Sequence, residues 1–441
     1  MRKSLYLITN LLILLSFAVS VKAYVPQYSE EKDALKLRWK NNVIKIALSG
    51  SLTKPNLNLK SDSDVAEAIQ RSLNAWENAA NIKFEIVWTD KQTVSPNGNF
   101  GDGVSLITIA QTSENLLMFS KDSEDISART RVFFNKKGYI TEADIVLNPY
   151  QQFSTDGSFG TFDFESTLTH EIGHLLGLEH SSVFSATMHE NNGKNGVFNM
   201  SSFVSRTLAE TDIASIRAIY GAKNEEENCC GAIAGKLTSA NPKVAKYYSV
   251  WAENAENGKV VAEVSTNSEG IFRLEGLAAG SYQIFAQNIV AEKNVFNSEE
   301  VAKVEVINNK TLNLTKRMEN LPSKFDLQYV GFNGQLSELS VPINAGKSYL
   351  IYVGGKNLDA KSVKIAFSTP YLTVTPKSLM TQDYGEGVSV LSFEVKVNAK
   401  ISAGEYSILV KSANKTIRQI VGGLTVEEFA NPWNSNILPA N

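Results

Sequence analysis

The chain has 441 residues, of which 43% are hydrophobic and 20% are charged, which is typical of folded protein and excludes a disordered or fibrous chain. At ~150 residues per domain, this length predicts about three domains. The formal net charge of −3 argues against nucleic acid or anionic lipid as a partner. Two cysteines exclude both a disulfide scaffold and a cysteine-rich metal fold.

Residues 1–23 have the layout of a secretory signal peptide. A basic start is followed by an apolar run from Leu11 to Val19, and Val21-Lys22-Ala23 forms a small-x-small cleavage site. The alternative is a membrane anchor, but the strongly apolar stretch is shorter than the ~20 residues that a span needs. We therefore expect cleavage after Ala23 and an exported protein without a membrane span. Its location would be extracellular, periplasmic or at the cell surface.

Residues 24–222 are predicted to form one α+β domain with a mixed twisted sheet and three helices. Runs rich in β-branched residues predict strands at 42–49, 104–110, 130–134 and 143–147. Apolar residues at helical spacing predict helices through 65–80, 164–175 and 208–220. Ser63 or Asp64 can cap the first helix, and Gly221 ends the third.

The pattern of the sequence changes after this domain. The polar run at 223–230 is a predicted linker, and beyond it short alternating strands recur between Gly, Asn and Pro. This pattern predicts two all-β sandwich modules, at 231–318 and 322–427, with a break near Pro322 and a C-terminal tail at 428–441. These modules contain no histidine, so we assign them no chemistry. Any function beyond spacing would be the binding of an extracellular or cell-surface ligand.

Three of the four histidines in the chain lie within the run HEIGHLLGLEH at residues 170–180. His170 and His174 are four residues apart, so on a helix they project from one face and can bind one Zn²⁺. Gly177 can take a positive φ and let the chain turn back, which would bring His180 to the same ion. Three protein ligands leave the fourth position of a tetrahedral ion open, as in a catalytic zinc site.

Glu171 is the predicted catalytic residue. It is next to a ligand, so its carboxylate can lie beside a zinc-activated water without binding the metal. It can take the proton of the attacking water and return it to the leaving amine. The alternative is that these are ordinary core or surface side chains. The full HExxHxxGxxH pattern would arise by chance in roughly one in a million chains of this composition.

At this point the sequence resembles a known family, the metzincin zinc peptidases, and within them the matrixins. The resemblance rests on HEIGHLLGLEHSS, the following Ala186-Thr187-Met188, and the segments AWE, TEADIVLN and DIASIRAIYG. It covers about residues 37–221. It implies that Met188 forms a hydrophobic floor beneath the zinc without being a ligand.

The sequence also departs from the matrixin pattern. His189 and Glu190 follow Met188 where the family usually has a Pro, which changes the expected shape of the specificity pocket. No histidine precedes His170, so a second zinc site of the animal matrixin kind is absent. The family's calcium sites could use Asp102 and Asp144, although loop acids are more often only solvated.

Other residues near the motif have ordinary interpretations. We interpret His189 as a partly exposed turn residue rather than a transition-state donor, and Tyr220 as helix packing. Cys229 and Cys230 are adjacent, so an ordinary disulfide is disfavoured. A vicinal disulfide, an intermolecular bond and two free thiols remain open.

The β modules carry a weaker resemblance. Residues 231–316, with TNSEGIFRLEGLAAGSYQIFA, resemble the transthyretin-like domain found beside carboxypeptidases, and residues 322–427 resemble an immunoglobulin or IPT/TIG sandwich. The sequence thus predicts a secreted zinc endopeptidase acting on proteins or peptides. The alternative is an adhesion or matrix-binding protein whose metzincin domain is a scaffold, but such a scaffold has no need of Glu171.

Because the chain has only one set of three clustered histidines, we expect one tightly bound Zn²⁺ per chain. Elemental analysis of purified, zinc-reconstituted protein should give a zinc to protein ratio near one. A ratio of two, or the absence of zinc after reconstitution, would contradict this expectation.

Overall fold

The computed structural model describes residues 36–427 except 55, 99, 120–125, 192, 201–205, 224–228, 242–246, 290–294, 386 and 413–415. The predicted signal peptide, the leader after it, most of the linker and the tail lie outside the described residues. The described part is mostly β with few helices, consistent with a mixed domain followed by β-sandwich modules. The domain boundaries themselves remain a prediction.

The first part of the chain, up to residue 221, is built on a six-stranded sheet with the order β1-β6-β4-β2-β3, in which β5 pairs with β6. All pairs are parallel except the β5–β6 hairpin. The strands of this sheet are β1 (Arg38–Trp39), β2 (Val43–Ser49), β3 (Lys83–Thr89), β4 (Leu106–Thr108), β5 (Ala128–Phe134) and β6 (Tyr139–Leu147). Two short strands, β7 (Phe153–Ser154) and β8 (Phe162–Asp163), form a separate two-stranded sheet. The helices are α1 (Val65–Ala79), α2 (Ser113–Leu117), α3 (Phe164–Leu175) and α4 (Glu210–Tyr220).

Helix α1 forms where the sequence predicts it. The Asp64 carboxylate accepts a hydrogen bond from the Glu67 N–H at 3.2 Å and caps the helix. Its apolar stripe, which includes Leu73 and Trp76, is buried against the sheet and α3 in one core. The Trp76 Nε1–H donates to the Thr169 carbonyl at 2.9 Å, which ties α1 to the middle of α3.

Several secondary-structure elements were not predicted from the sequence, or were predicted with other bounds. Helix α2 has only five residues, which is too short for a helical period to show. Strand β3 lies at the edge of the sheet, and its Val87 and Trp88 are 60% and 49% exposed, so it lacks the alternation of a half-buried strand. The predicted strand at 104–110 is shorter in the structure, Leu106–Thr108.

Residues 231–318 form two facing sheets, with the orders β11-β10-β13-β14 and β12-β9-β15. Their inward side chains make a separate hydrophobic core. The strands are β9 (Gly231–Ser239), β10 (Tyr248–Asn254), β11 (Val260–Ser265), β12 (Ile271–Leu277), β13 (Gly280–Asn288), β14 (Ser298–Val306) and β15 (Thr311–Met318). We call these residues the first β module.

Residues 326–426 form two further sheets, β17-β16-β19-β23-β21 with β22 on β23, and β18-β25-β24-β20. A third core lies between them. The strands are β16 (Asp326–Phe332), β17 (Gln335–Ser337), β18 (Val341–Ile343), β19 (Ser348–Lys356), β20 (Val363–Phe367), β21 (Leu372–Val374), β22 (Met380–Asp383), β23 (Ser389–Val397), β24 (Gly404–Ser412) and β25 (Ile417–Val426). We call these residues the second β module.

The three parts meet at a shared junction. Val183 and Ala186 of the first part, Trp251 and Val260 of the first β module, and Val421 of the second form one buried apolar cluster. Backbone contacts reinforce it, since the Phe184 N–H donates to the Val421 carbonyl at 3.0 Å. The β modules are therefore packed against the domain that carries the histidines.

Buried glutamates accompany this apolar cluster. Glu253 accepts hydrogen bonds from Ser407 Oγ of the second β module at 2.9 Å and from Trp251 Nε1 at 3.1 Å. Glu405 of the second β module is buried near Glu210 and Asp212 of α4. Burial raises the pKa of Glu253 to about 7 and that of Glu405 to about 8.

Two smaller observations complete the fold. Cys229 and Cys230 form a vicinal disulfide, which is one of the alternatives that the sequence left open. Across the described part of the chain, no helix combines the length and the apolar character that crossing a bilayer requires.

The junction should depend on pH through Glu405. Its pKa is raised from 4.5 to about 8, first by burial and then by Glu210 and Asp212. The stabilisation from its neutral form is therefore present below pH 4.5 and is lost as the pH rises toward 8. Relative to wild type, Glu405→Gln should gain little melting temperature in acid and a few degrees near pH 8.

The comparison is made by thermal unfolding with a chelator present, so that metal binding does not contribute. Glu256→Gln, at an exposed position of the first β module, is the control and should show no gain. A gain for Glu405→Gln that is equal at both pH values would contradict the assignment.

Candidate metal centre

Helix α3 carries three of the predicted site residues. Asp163 caps its first turn, because its carboxylate accepts from the Ser166 N–H at 2.9 Å. Arg206 binds the same carboxylate and fixes it further. The apolar residues Phe164, Leu168, Ile172 and Leu175 are fully buried, so the register of α3 is set by its core face. That register places the Nε2 atoms of His170 and His174 3.1 Å apart.

The ring orientations of two histidines are fixed by backbone carbonyls. His170 Nδ1 lies 2.7 Å from the Thr187 carbonyl oxygen, and His174 Nδ1 lies 2.7 Å from that of Leu178. A carbonyl only accepts, so each Nδ1 carries the hydrogen and each Nε2 presents a lone pair. Burial lowers the pKa of His170 to about 3 and that of His174 to about 4. Both rings are therefore neutral, as metal ligands must be.

His180 joins this pair after a sharp turn. Gly177 has φ +97°, and a Cβ there would lie 2.5 Å from the Leu37 carbonyl oxygen, so the turn requires glycine. His174 Nε2 lies 3.1 Å from both His170 Nε2 and His180 Nε2. Ligands at ~2.0–2.1 Å around one tetrahedral zinc lie about 3.3 Å apart. All three ligand nitrogens lie within 4.8 Å of one another, so they could hold a single metal ion.

This set stands out in the described part of the chain. There, the three histidines are the only group of three or more His, Cys, Asp or Glu side chains whose ligand atoms converge as a metal site would require. The arrangement was expected from spacing and a glycine turn, and the structure brings all three predicted residues together. It could hold a metal ion.

Glu171 directly follows His170 on α3 and is enclosed. It is 4% exposed, and its Oε2 accepts a hydrogen bond from the Thr130 hydroxyl on β5. Burial raises the pKa of Glu171 to about 7, although the Thr130 bond opposes this shift. A carboxyl with a pKa near neutrality can both take and give a proton. Thr130 was not predicted, because it lies 41 residues upstream and no local pattern connects the two.

Met188 lies in contact with helix α3. It is 2% exposed and packs on Gly173 of α3, where a Cβ would lie 2.2 Å from the Met188 sulfur. The Ser181 N–H donates to the Met188 carbonyl at 2.7 Å. Gly173 is therefore required where the helix crosses Met188, and the sulfur has a packing role.

Asp212 on α4 is a further functional residue that the sequence analysis did not identify. Its carboxylate accepts from the N–H groups of Thr187, Met188 and Ala209, at 2.7, 3.2 and 2.9 Å. Burial raises its pKa to about 6, and the three bonds oppose that shift. Thr187 also supplies the carbonyl that orients His170. Asp212 thus stabilises the turn whose Thr187 carbonyl orients the predicted ligand His170.

The two residues proposed for calcium are otherwise engaged. Asp144 is fully buried and accepts from the Ser95 and Leu106 N–H groups at 2.8 and 2.9 Å. Burial raises its pKa to about 7. Asp102 forms an ion pair with Lys91. These contacts give calcium no support.

The interpretation of His189 as partly exposed is wrong, and that of Tyr220 agrees with the structure. His189 is 6% exposed, because its ring packs 5.3 Å from that of Phe184 at the junction with the β modules. The Tyr220 hydroxyl donates to the Leu176 carbonyl at 2.8 Å and accepts from the Trp39 N–H at 3.1 Å. It fastens β1 to the end of α3.

Comparison with known families agrees with this geometry. Residues 38–221 match the model of the matrixin peptidases, a stretch that is less than half of the chain and includes the whole candidate centre. The match supports a matrixin-like catalytic domain and hence a metallopeptidase, and this family implies a catalytic zinc. No curated protein matches the chain.

Solved structures that resemble the chain do so only distantly. They include the major pilin subunit of Bacillus cereus, at 17% identity over 43% of this chain and 66% of that chain, with a TM-score of 0.18. A minor pilin of Streptococcus agalactiae has 16% identity over 21% and 45%, with a TM-score of 0.16. This chain therefore spans less than two thirds of their lengths, and such similarity carries no argument about function.

Loss of the Asp212 carboxylate should weaken the centre through Met188 and Thr187. Asp212→Ala leaves buried N–H groups without an acceptor, at about 1–3 kcal/mol each. We expect the free energy of unfolding to fall by at least about 2 kcal/mol, measured by urea denaturation of the metal-free protein. A loss below about 0.5 kcal/mol would show that these bonds do not hold the turn.

Proposed function

We propose that this protein is an exported zinc-dependent endopeptidase that hydrolyses peptide bonds in proteins or peptides. One observation carries the proposal: the ring nitrogens of three histidines lie within 4.8 Å of one another, and the residue next to His170 on α3 is a buried glutamate, Glu171. The matrixin match supports the peptidase class. Export rests on the signal-peptide pattern of residues 1–23.

His170, His174 and His180 would hold the zinc. When bound, zinc supplies Lewis-acid polarisation of the scissile carbonyl and acidifies water. The two carbonyls that accept from Nδ1 make the imidazoles of His170 and His174 better donors toward the ion. Gly177 and the segment after it deliver the third ring from outside the helix.

Glu171 would do the proton transfer. Its carboxylate takes the proton of the attacking water and then donates that proton to the nitrogen of the leaving amine. The Thr130 hydroxyl holds Oε2, so the carboxyl keeps one orientation through both transfers. The reaction needs no covalent intermediate, because water is the nucleophile.

Glu171→Ala should keep the metal and lose activity, because the three ligands remain while proton transfer is removed. We expect kcat/KM on a generic peptide to fall by about 10²–10⁴, with zinc content unchanged by elemental analysis. His174→Ala should instead lose the zinc.

Glu85→Ala is the control, since Glu85 is exposed on the edge strand β3 and its loss should leave both readouts unchanged. Activity of Glu171→Ala within about tenfold of wild type would contradict its role. A zinc-loaded wild type that cleaves nothing would favour the scaffold alternative.

A further inference from the structure

The segment that follows the third histidine connects the metal centre to the first β module. Ser181 and Ser182 come directly after His180. On one side, the Ser181 N–H donates to the Met188 carbonyl at 2.7 Å. On the other side, the hydroxyls of Ser181 and Ser182 donate to the Glu263 carboxyl, at 3.4 and 3.2 Å. The segment is thus held between two anchors.

Glu263 lies on β11 and is fully enclosed at this contact. It is 3% exposed and also accepts a hydrogen bond from Ser249 Oγ at 2.9 Å. Ser182 Oγ and Ser249 Oγ lie 2.9 Å apart and complete the network. A buried carboxyl is costly unless it is hydrogen-bonded, and here its partners come from both sides of the contact.

His180 is reached through a different part of the chain from the other two histidines. His170 and His174 lie on α3, and the helix and two carbonyls fix their rings. His180 lies beyond the Gly177 turn, outside any helix or strand. A small cavity lined by His180, Ser181, Met188 and Glu263 lies at this point.

We propose that Glu263 of the first β module is a positioning residue for the third zinc ligand. By holding Ser181 and Ser182, it sets the distance of His180 from the pair on α3. The inference rests on the proposed zinc site, and it makes the first β module part of the catalytic unit. Glu263 is not part of the group of described side chains that could hold the metal, so it would act through Ser181 and Ser182.

Glu253 provides a matched comparison. It is a glutamate on the neighbouring strand β10 and is also 3% exposed. Its partners are Trp251 and Ser407 of the second β module, and neither is part of the segment after His180. If Glu263 only joined the modules, removing either glutamate would affect the metal centre equally.

The experiment measures zinc affinity by chelator competition and the visible spectrum of the Co²⁺-substituted protein, on the full chain. Glu263→Ala should raise the Kd for zinc by about tenfold, as loss of a group that orients a ligand does, and should alter the Co²⁺ spectrum. Glu263→Gln should stay within about threefold of wild type, because an amide can accept from Ser182 and donate to Ser181. Glu253→Ala should match wild type in both readouts.

If Glu263→Ala does not fold, the double variant Ser182→Ala, Ser249→Ala removes two hydroxyl donors with little change in volume. It should raise the Kd by at least about threefold, in the direction expected for loss of a positioning contact. Wild-type affinity and spectrum in that variant, or in a folded Glu263→Ala, would overturn the inference. So would an equal effect of Glu253→Ala. Failure of the wild type to bind zinc would overturn the proposed function itself.

Discussion

Two hydrogen bonds from imidazole Nδ1 atoms to backbone carbonyls make the rest of the site possible. The Thr187 and Leu178 carbonyls fix the tautomer of His170 and His174, so both Nε2 lone pairs face the same point. Without them, each ring could rotate or present a hydrogen at Nε2, and metal affinity would fall by about 10–100-fold. The surrounding parts of the fold hold those two carbonyls in place.

Each carbonyl is itself held by a separate part of the fold. Leu178 follows the Gly177 turn, and its N–H donates to the Gly173 carbonyl at 2.9 Å. Thr187 is held by Asp212 at the start of α4. The second β module reaches the same helix, since its buried Glu405 lies near Glu210 and Asp212. The contact of the second β module with α4 is therefore only a few residues from Asp212, which holds the Thr187 carbonyl that orients His170.

The sequence predicted the parts of the site that depend on local geometry. Two histidines one helical turn apart and a glycine turn place three rings near one point, whatever lies around them. It missed Thr130, Asp212 and Glu263, because each acts on a segment that is distant in the chain. It also misjudged His189, whose burial depends on packing at the junction with the β modules. Strand periodicity indicated β-rich modules but contained no information about how they pack on the first domain.

The most direct test of the account is digestion of a denatured proteome by the zinc-loaded protein, with cleavage sites identified by mass spectrometry. Parallel digests contain a chelator, or a chelator followed by excess zinc. We expect new internal peptide termini in the zinc-loaded digest. These termini should disappear when chelator is present and return when excess zinc is added. Cleavage that persists in the chelated sample, or no cleavage by a folded chain that has bound zinc, would contradict it.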